Sequence, residues 1–289
     1  MYIHSIMRVL WIQRLSCCGN THSFLNYEYP ELVFREFEFV YHPSLSTEPE
    51  NQVVSKVLNK DIYIDILIIE GAVRNDDELI VDLASKADYV IAVGNCASFG
   101  NIPALSNKDV SGLQFRFKEK GGVLGKDFRT KKGFPVINLS GCPAHPEWIV
   151  GTLLKIKRGK IIELDEWGRP KDFYTAFTHW GCSRNEYFEW KVEPKGLGTS
   201  RGCLFYKYGC KGPMTNSMCN IILWNGVSSK TRSGTPCFGC TEFDFPREGL
   251  WETKVFAGIP AELPRGVSKR AYIMISGIAK TFTPDRLKE

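Results

Sequence analysis

The 289-residue chain has no stretch near the ~20 uninterrupted apolar residues that a membrane-spanning helix needs, and its best late candidate, AYIMISGIA from Ala271, is about half that length. The opening residues MYIHSIMRVLWIQRL contain neither a twin-arginine pair nor a small-residue cleavage site, so they read as a first strand rather than an export signal. An excess of one charge is also missing. Lys and Arg number 37 against 32 Asp and Glu, a formal net charge of +5 with no basic stripe, which argues against nucleic acid as a partner. What stands out is ten cysteines in a composition otherwise ordinary at 43% hydrophobic and 24% charged. Without an export signal the expected compartment is the reducing cytoplasm, where cysteines are metal ligands more readily than a disulfide framework. The charge and the late apolar segment permit peripheral membrane association through partners.

The length implies about two domains, and the halves differ in texture. In the first half, short β-branched and aromatic runs alternate with helix-like segments, the pattern of a parallel sheet with crossover helices. The expected strands are Arg8 to Ile12, Phe34 to Val40, Ile64 to Ile69, Tyr89 to Val93 and Pro135 to Leu139. Asn75 or Asp76 suits the cap of a helix whose apolar stripe is Leu79, Ile80, Leu83 and Ala87, and another helix begins near Pro146. The expected fold is a flavodoxin-like, doubly wound α/β domain over residues 1–165. Residues 166–289 form a second domain with little regular structure.

The chemistry follows the strands. LSCCGNT carries Cys17 and Cys18, EGAV carries Glu70, GNCASFG carries Cys96, and SGCPAHP carries Cys142. In a parallel sheet these turns emerge at the carboxyl edge, where open α/β folds bind ligands. The plainer reading is small buried cysteines in glycine-rich turns, but core packing gives no reason for cysteine at the same end of successive strands. In the second half, His179 and Cys182 precede Cys203 and Cys210, a set able to close one tetrahedral site. Cys219 and the CxxC pair Cys237 and Cys240 make a set of three. Zinc accounts for the four-ligand set alone, whereas iron–sulfur clusters accommodate both.

The ordered motifs CCGNTHSFLN, IEGAV, GNCASFGNIPA, SGCPAHPEW, HWGC, GCKGPMT, CNIILWN and TPCFGCTEFDFP resemble the small, electron-transferring subunit of NiFe hydrogenases over nearly the whole chain. CLFYKYGC and the run LWNGVSSKTRSG are most similar to the oxygen-tolerant, actinobacterial-type branch. The resemblance implies a proximal cluster, 4Fe-4S or 3Fe-4S, on Cys17, Cys96 and Cys142. It implies a distal 4Fe-4S cluster on His179, Cys182, Cys203 and Cys210, and a medial 3Fe-4S cluster on Cys219, Cys237 and Cys240. The family usually has a second cysteine where this chain has Asn20, and its similar branch has aspartate. The fourth proximal ligand is therefore open between Asn20, Cys18 and none, and Asn20 also suits a turn or cap.

By the same resemblance, hydrogen is split at a NiFe centre in a separate large subunit, and this chain, which has no catalytic residue of its own, passes electrons to an acceptor protein or quinone-linked partner. Glu70 is a candidate for a proton route or, equally, for a carboxylate anchoring the loops. A regulatory hydrogen-sensing assembly would use the same architecture. A zinc-stabilised, non-redox binding module is the alternative from another class, and it leaves the sheet-edge cysteines unexplained.

Overall fold

Strict alternation along four apolar strands builds the first unit from both sides. Val9, Trp11, Ile66, Ile68, Ile91, Val93, Ile137 and Leu139 pack on one face of a sheet, and Leu10, Ile12, Leu67, Ile69, Val90 and Ala92 on the other, all of them fully buried. The computed structural model describes residues 6–288, and the chain divides into one unit ending at Asp172 and another beginning at Phe173.

The sheet is wholly parallel, and its strands lie in the order Phe37–Tyr41, Met7–Gln13, Ile66–Glu70, Tyr89–Val93, Ile137–Leu139. Chain order across the sheet is thus second, first, third, fourth, fifth, the flavodoxin-like arrangement. Helices Glu50–Leu58 and Glu78–Lys86 cover one face through Val53, Val57, Ile80 and Leu83. Helices Gly19–Leu25, Pro30–Glu36 and Pro146–Lys157 cover the other through Phe24, Val33, Ile149 and Leu153.

Three local expectations change. Phe34 to Glu36 belong to the helix Pro30–Glu36, and the strand begins only at Phe37. Pro30 in the first turn, Glu31 beside it and Arg35 in the last turn suit that helix, and an apolar run this short has no period that separates helix from strand. The cap of Glu78–Lys86 is Asp77, one residue later than expected, whose carboxylate accepts the Ile80 N–H at 3.2 Å while also pairing with Arg14. The fifth strand is shorter than expected, starting at Ile137.

The second unit has a five-residue helix Asn185–Glu189, a 3-10 turn Gly212–Met214, a hairpin of Val255–Phe256 with Ile259–Pro260, and helices Lys269–Thr281 and Asp285–Lys288. The late apolar segment lies inside Lys269–Thr281, started by Ser268, whose hydroxyl accepts the Ala271 N–H at 3.2 Å. Among the described residues no helix is long and apolar enough to cross a membrane.

One buried base gives the first unit a pH signature. His42 is wholly buried against Trp11, Phe24 and Phe39, with ring centroids 5.0, 5.7 and 5.8 Å away. Its Nδ1 accepts the Ser44 N–H at 3.2 Å, and its Nε2 has no hydrogen-bond partner among the described residues. Burial pulls its pKa down to about 4 from 6.5, against the opposing charge of Glu70. Between those values the unfolded chain binds a proton that the folded chain refuses, so stability falls as pH drops through this window. Replacing the ring by leucine in His42→Leu should flatten thermal stability between pH 6.5 and 4. Melting curves that keep the parent's slope would show that another group causes it.

Candidate functional site

Four successive turns at the carboxyl edge of the sheet are tied to one another before any ligand is considered. Leu15 and Ala72 exchange backbone hydrogen bonds at 3.0 and 3.1 Å, joining the first turn to that after Glu70. The Asn95 N–H donates to the Gly141 carbonyl at 2.8 Å, joining the turns of Cys96 and Cys142. Two glycines are needed for this closeness. At Gly71, φ +96, a Cβ would stand 2.7 Å from the Leu15 carbonyl carbon, and at Gly94, φ +84, it would stand 2.3 Å from Asn20 Nδ2.

The hub of these turns is Glu70, fully buried at the end of its strand. Oε2 accepts from Thr21 Oγ1 at 2.6 Å, Gln13 Nε2 at 3.1 Å and Trp11 Nε1 at 3.3 Å. Oε1 accepts from Ser16 Oγ at 3.0 Å, the Asn20 N–H at 3.0 Å and Asn20 Nδ2 at 3.4 Å. Burial pushes its carboxyl up, but the bonds from Thr21, Gln13, Ser16 and the Asn20 N–H outweigh that, leaving it below the ordinary carboxylate range. Sequence reasoning found Glu70 but not its partners Trp11, Gln13, Ser16 and Thr21. Their only signal was polar residues placed at the end of an apolar strand.

Around this hub lie Cys17, Cys96 and Cys142. Cys96 is pushed up to about 12 by burial, then by charge on Cys142 and on Cys17. Asn20 Oδ1 accepts the Ala144 N–H at 2.8 Å, beside Cys142. Cys18 has a left-handed backbone, φ 62, and its Sγ lies 3.7 Å from Gln13 Oε1.

In the second unit His179, Cys182, Cys203 and Cys210 line one small recess, together with Arg184 and Phe205. His179 is pulled down to about 4 by burial and by Lys191, which keeps its imidazole neutral and able to donate a lone pair. Burial pushes Cys203 up to about 12 and Cys210 well up, the latter also through charge on Cys237 and Cys203. Arg184, which the sequence reading passed over, is buried and donates to the carbonyls of Thr199, Arg201, Gly202 and Thr231. It thereby fixes the loop before Cys203.

Cys219, Cys237 and Cys240 form the third locus. Cys219 is pushed up to about 12 by burial, then by Cys240, with Cys237 also contributing. Ser217 Oγ lies 3.3 Å from Cys219 Sγ, and Lys230 Nζ 3.9 Å from Cys240 Sγ. The Cys237 N–H donates to Cys210 Sγ at 3.3 Å, so the second and third loci adjoin.

The donor chemistry fits sulfur-ligated iron at all three places. Each holds soft thiols, among them Cys96, Cys203, Cys210, Cys219 and Cys237, which burial pushes up, and a bound cationic group would stabilise their thiolates. Backbone and hydroxyl donors to sulfur, as at Cys210 and Cys219, are the contacts that tune such groups. Among the described residues no group of three or more His, Cys, Asp or Glu is placed to hold a single metal ion.

Residues 17–156 match the family described as NADH ubiquinone oxidoreductase, 20 Kd subunit, and residues 174–251 match the family described as the C-terminal part of the NiFe/NiFeSe hydrogenase small subunit. The chain is 30% identical to the F420 non-reducing hydrogenase II small subunit of Methanosarcina mazei, over 83% of this chain and 73% of that one. It is also 30% identical to the periplasmic [NiFe] hydrogenase small subunit 1 of Nitratidesulfovibrio vulgaris, over 85% and 80%. Among solved structures, the actinobacterial-type NiFe-hydrogenase from Ralstonia eutropha H16 superposes with a TM-score of 0.76 at 26% identity, covering 96% of this chain and 89% of that one.

Gly94→Ala probes how the turns are locked. The strained backbone alone should cost about 1 to 3 kcal/mol, and the new methyl would drive Asn20 off Glu70 and Ala144. A lowered melting temperature with weaker retention of iron by the first unit is expected, and an unaltered melt would show that these turns are not interlocked through Asn20.

Proposed function

The chain belongs to the small-subunit family of NiFe hydrogenases, and from that premise we propose that it relays electrons from hydrogen oxidation at the large subunit's NiFe centre through three iron–sulfur clusters to an external acceptor. Hydrogenase small subunits act as part of a NiFe hydrogenase with a large subunit, and the actinobacterial-type match supports that branch. The observation that carries the relay is the sorting of nine cysteines and His179 into three loci. In this reading Cys17, Cys96 and Cys142 hold the proximal cluster, Cys219, Cys237 and Cys240 the medial 3Fe-4S, and His179, Cys182, Cys203 and Cys210 the distal 4Fe-4S. Clusters bound there supply one-electron carriers.

This chain's residues then have defined tasks. The thiolates hold iron, and burial around Cys203, Cys210 and Cys237 excludes water. Glu70, fully engaged with Trp11, Gln13, Ser16, Asn20 and Thr21, anchors the proximal turns. The Ala144 bond to Asn20 and the turn of Cys18 toward Gln13 favour a proximal set of three protein ligands. Cys17 is exposed, and Leu15, Ile102 and Leu105, close in sequence to cysteine-bearing turns, are 45, 55 and 60% exposed. Apolar side chains so displayed suit cover by the large subunit. The acceptor, a protein or a quinone-linked partner, would draw from the distal set.

Anaerobic purification with the partner, metal analysis and electron paramagnetic resonance test the relay. About 10 or 11 iron atoms per chain are expected from three such clusters, with nickel in the partner. About one zinc with little iron and no paramagnetic signal in either oxidation state would end the redox reading. Cys17→Ser should abolish or convert the proximal signal alone, and unchanged spectra would refute that assignment. Leu105→Asp should weaken co-purification of the large subunit while iron in the second unit persists; full recovery of the complex would remove this surface from the interface.

A further inference from the structure

Lys191 follows the helix Asn185–Glu189 with φ +58, a left-handed backbone that a lysine adopts only against steric resistance. Its ammonium is enclosed by aromatic rings, 4.7 Å from the centroid of Phe188, 5.1 Å from Tyr272 and 5.6 Å from Tyr206. Nζ lies 3.4 Å from the Phe188 carbonyl oxygen, which also accepts from Tyr206 Oη at 2.6 Å. Three π faces and a carbonyl favour the charged form.

The cage stands among the ligands of the distal set. The Phe188 ring lies 4.3 Å from the His179 ring, so the Lys191 ammonium and the imidazole centre are at most 9.0 Å apart, the sum of this separation and the 4.7 Å above. Val192, the next residue, accepts the Cys203 N–H at 2.8 Å, and the Tyr206 N–H donates to the Cys203 carbonyl at 3.3 Å. The Cys203 turn is therefore pinned to the segment that carries the cation, and His179 packs on the same segment through Phe188. Its charge adds to burial in holding His179 low, and with Arg184 it favours the Cys203 thiolate. Burial lowers the Lys191 pKa from its ordinary value, opposed by the negative charge of Cys203 and of Glu189, which favour the ammonium.

We propose that Lys191 is a positioning residue for charge, a fixed cation that raises the reduction potential of the cluster held by His179, Cys182, Cys203 and Cys210. The proposal rests on the assignment of those four ligands. Reduction there adds one electron and changes no bond, so the reduced form carries one more negative charge. A cation held within about 9 Å in a partly desolvated cage stabilises that form more than the oxidised one. The last carrier is thus made the favoured resting place for an electron before it leaves the chain.

The test is a potentiometric titration of the anaerobic heteromeric enzyme, followed by electron paramagnetic resonance, in Lys191→Met, Lys191→Gly and Lys191→Arg. Glycine suits the left-handed backbone and removes the charge without strain. In both neutral variants the distal midpoint should move negative, lowering the share of electrons on the distal relative to the medial cluster on the order of tenfold. The medial midpoint and total iron should stay put, and Lys191→Arg should remain near the parent. A distal midpoint that does not move in the neutral variants overturns the proposal, as does an arginine variant shifted as far as they are, which would make the effect one of packing. If neither neutral variant keeps the distal cluster, Lys191 serves assembly and the tuning role falls. A parent enzyme with no distal signal would instead sink the ligand assignment itself.

Discussion

The first unit depends on one buried anion. A carboxylate removed from water costs several kcal/mol unless its lone pairs are filled, and Glu70 has them filled from two directions. Trp11 and Gln13 reach it from the neighbouring strand, and Ser16, Asn20 and Thr21 from the turn that follows. Satisfying the charge therefore fixes the path of the chain through Cys17. Asn20, once held, presents its oxygen to Ala144 and fixes the turn of Cys142, while Gly94 lets the turn of Cys96 close against Asn20. Removing the carboxylate would orphan several donors at once, so three cysteine-bearing turns share a single point of failure.

The second unit solves the same problem without a sheet. Arg184 gathers four carbonyls, Thr178 and Ser217 share a hydrogen bond at 2.6 Å, and Asn220 accepts from Ser229 and Thr231 at 2.5 and 2.7 Å. Its core cluster counts Cys203, Cys210 and Cys237 among its buried members. On the proposed ligand assignment that core would be completed by what these cysteines bind, which would account for how little regular structure suffices there. The zinc-module alternative relied on the same reasoning, but membership of the hydrogenase family argues against it.

Much of this was legible in the residues and some was not, for reasons that follow from range. The strands around Leu10, Ile68 and Ile91 declare themselves because alternation and β-branching are local properties, and the cysteines because ligand spacing is local too. Phe34 was misread since a three-residue difference in an apolar run leaves no period to measure. Asp77 rather than Asp76 caps its helix, a choice between adjacent aspartates that composition does not reveal. Glu70's donors are set by the register of the first strand against the third, where Gln13 lies opposite Glu70. The Lys191 cage draws on Phe188, Tyr206 and Tyr272, and no local pattern announces a contact across such separations.

The charges beside the three loci differ in sign, and that difference gives the proposed relay a direction. Cys96 feels the anion of Glu70, which opposes added negative charge at the proximal set. Cys219 and Cys237 feel Lys230, whose Nζ stands 3.9 Å from Cys240 Sγ. Cys203 feels Arg184 and Lys191 together. A carrier beside an anion gives up an electron more readily than one beside a cation, since reduction adds a unit of negative charge in each case. On these contacts alone a carrier held at Cys96 would keep an electron less tightly than one held at Cys203, without any difference in thiolate chemistry being required. The same anion that locks the turns of the first unit would also oppose reduction beside Cys96, so in the proposed relay one buried carboxylate would join the stability of that unit to the release of an electron from it.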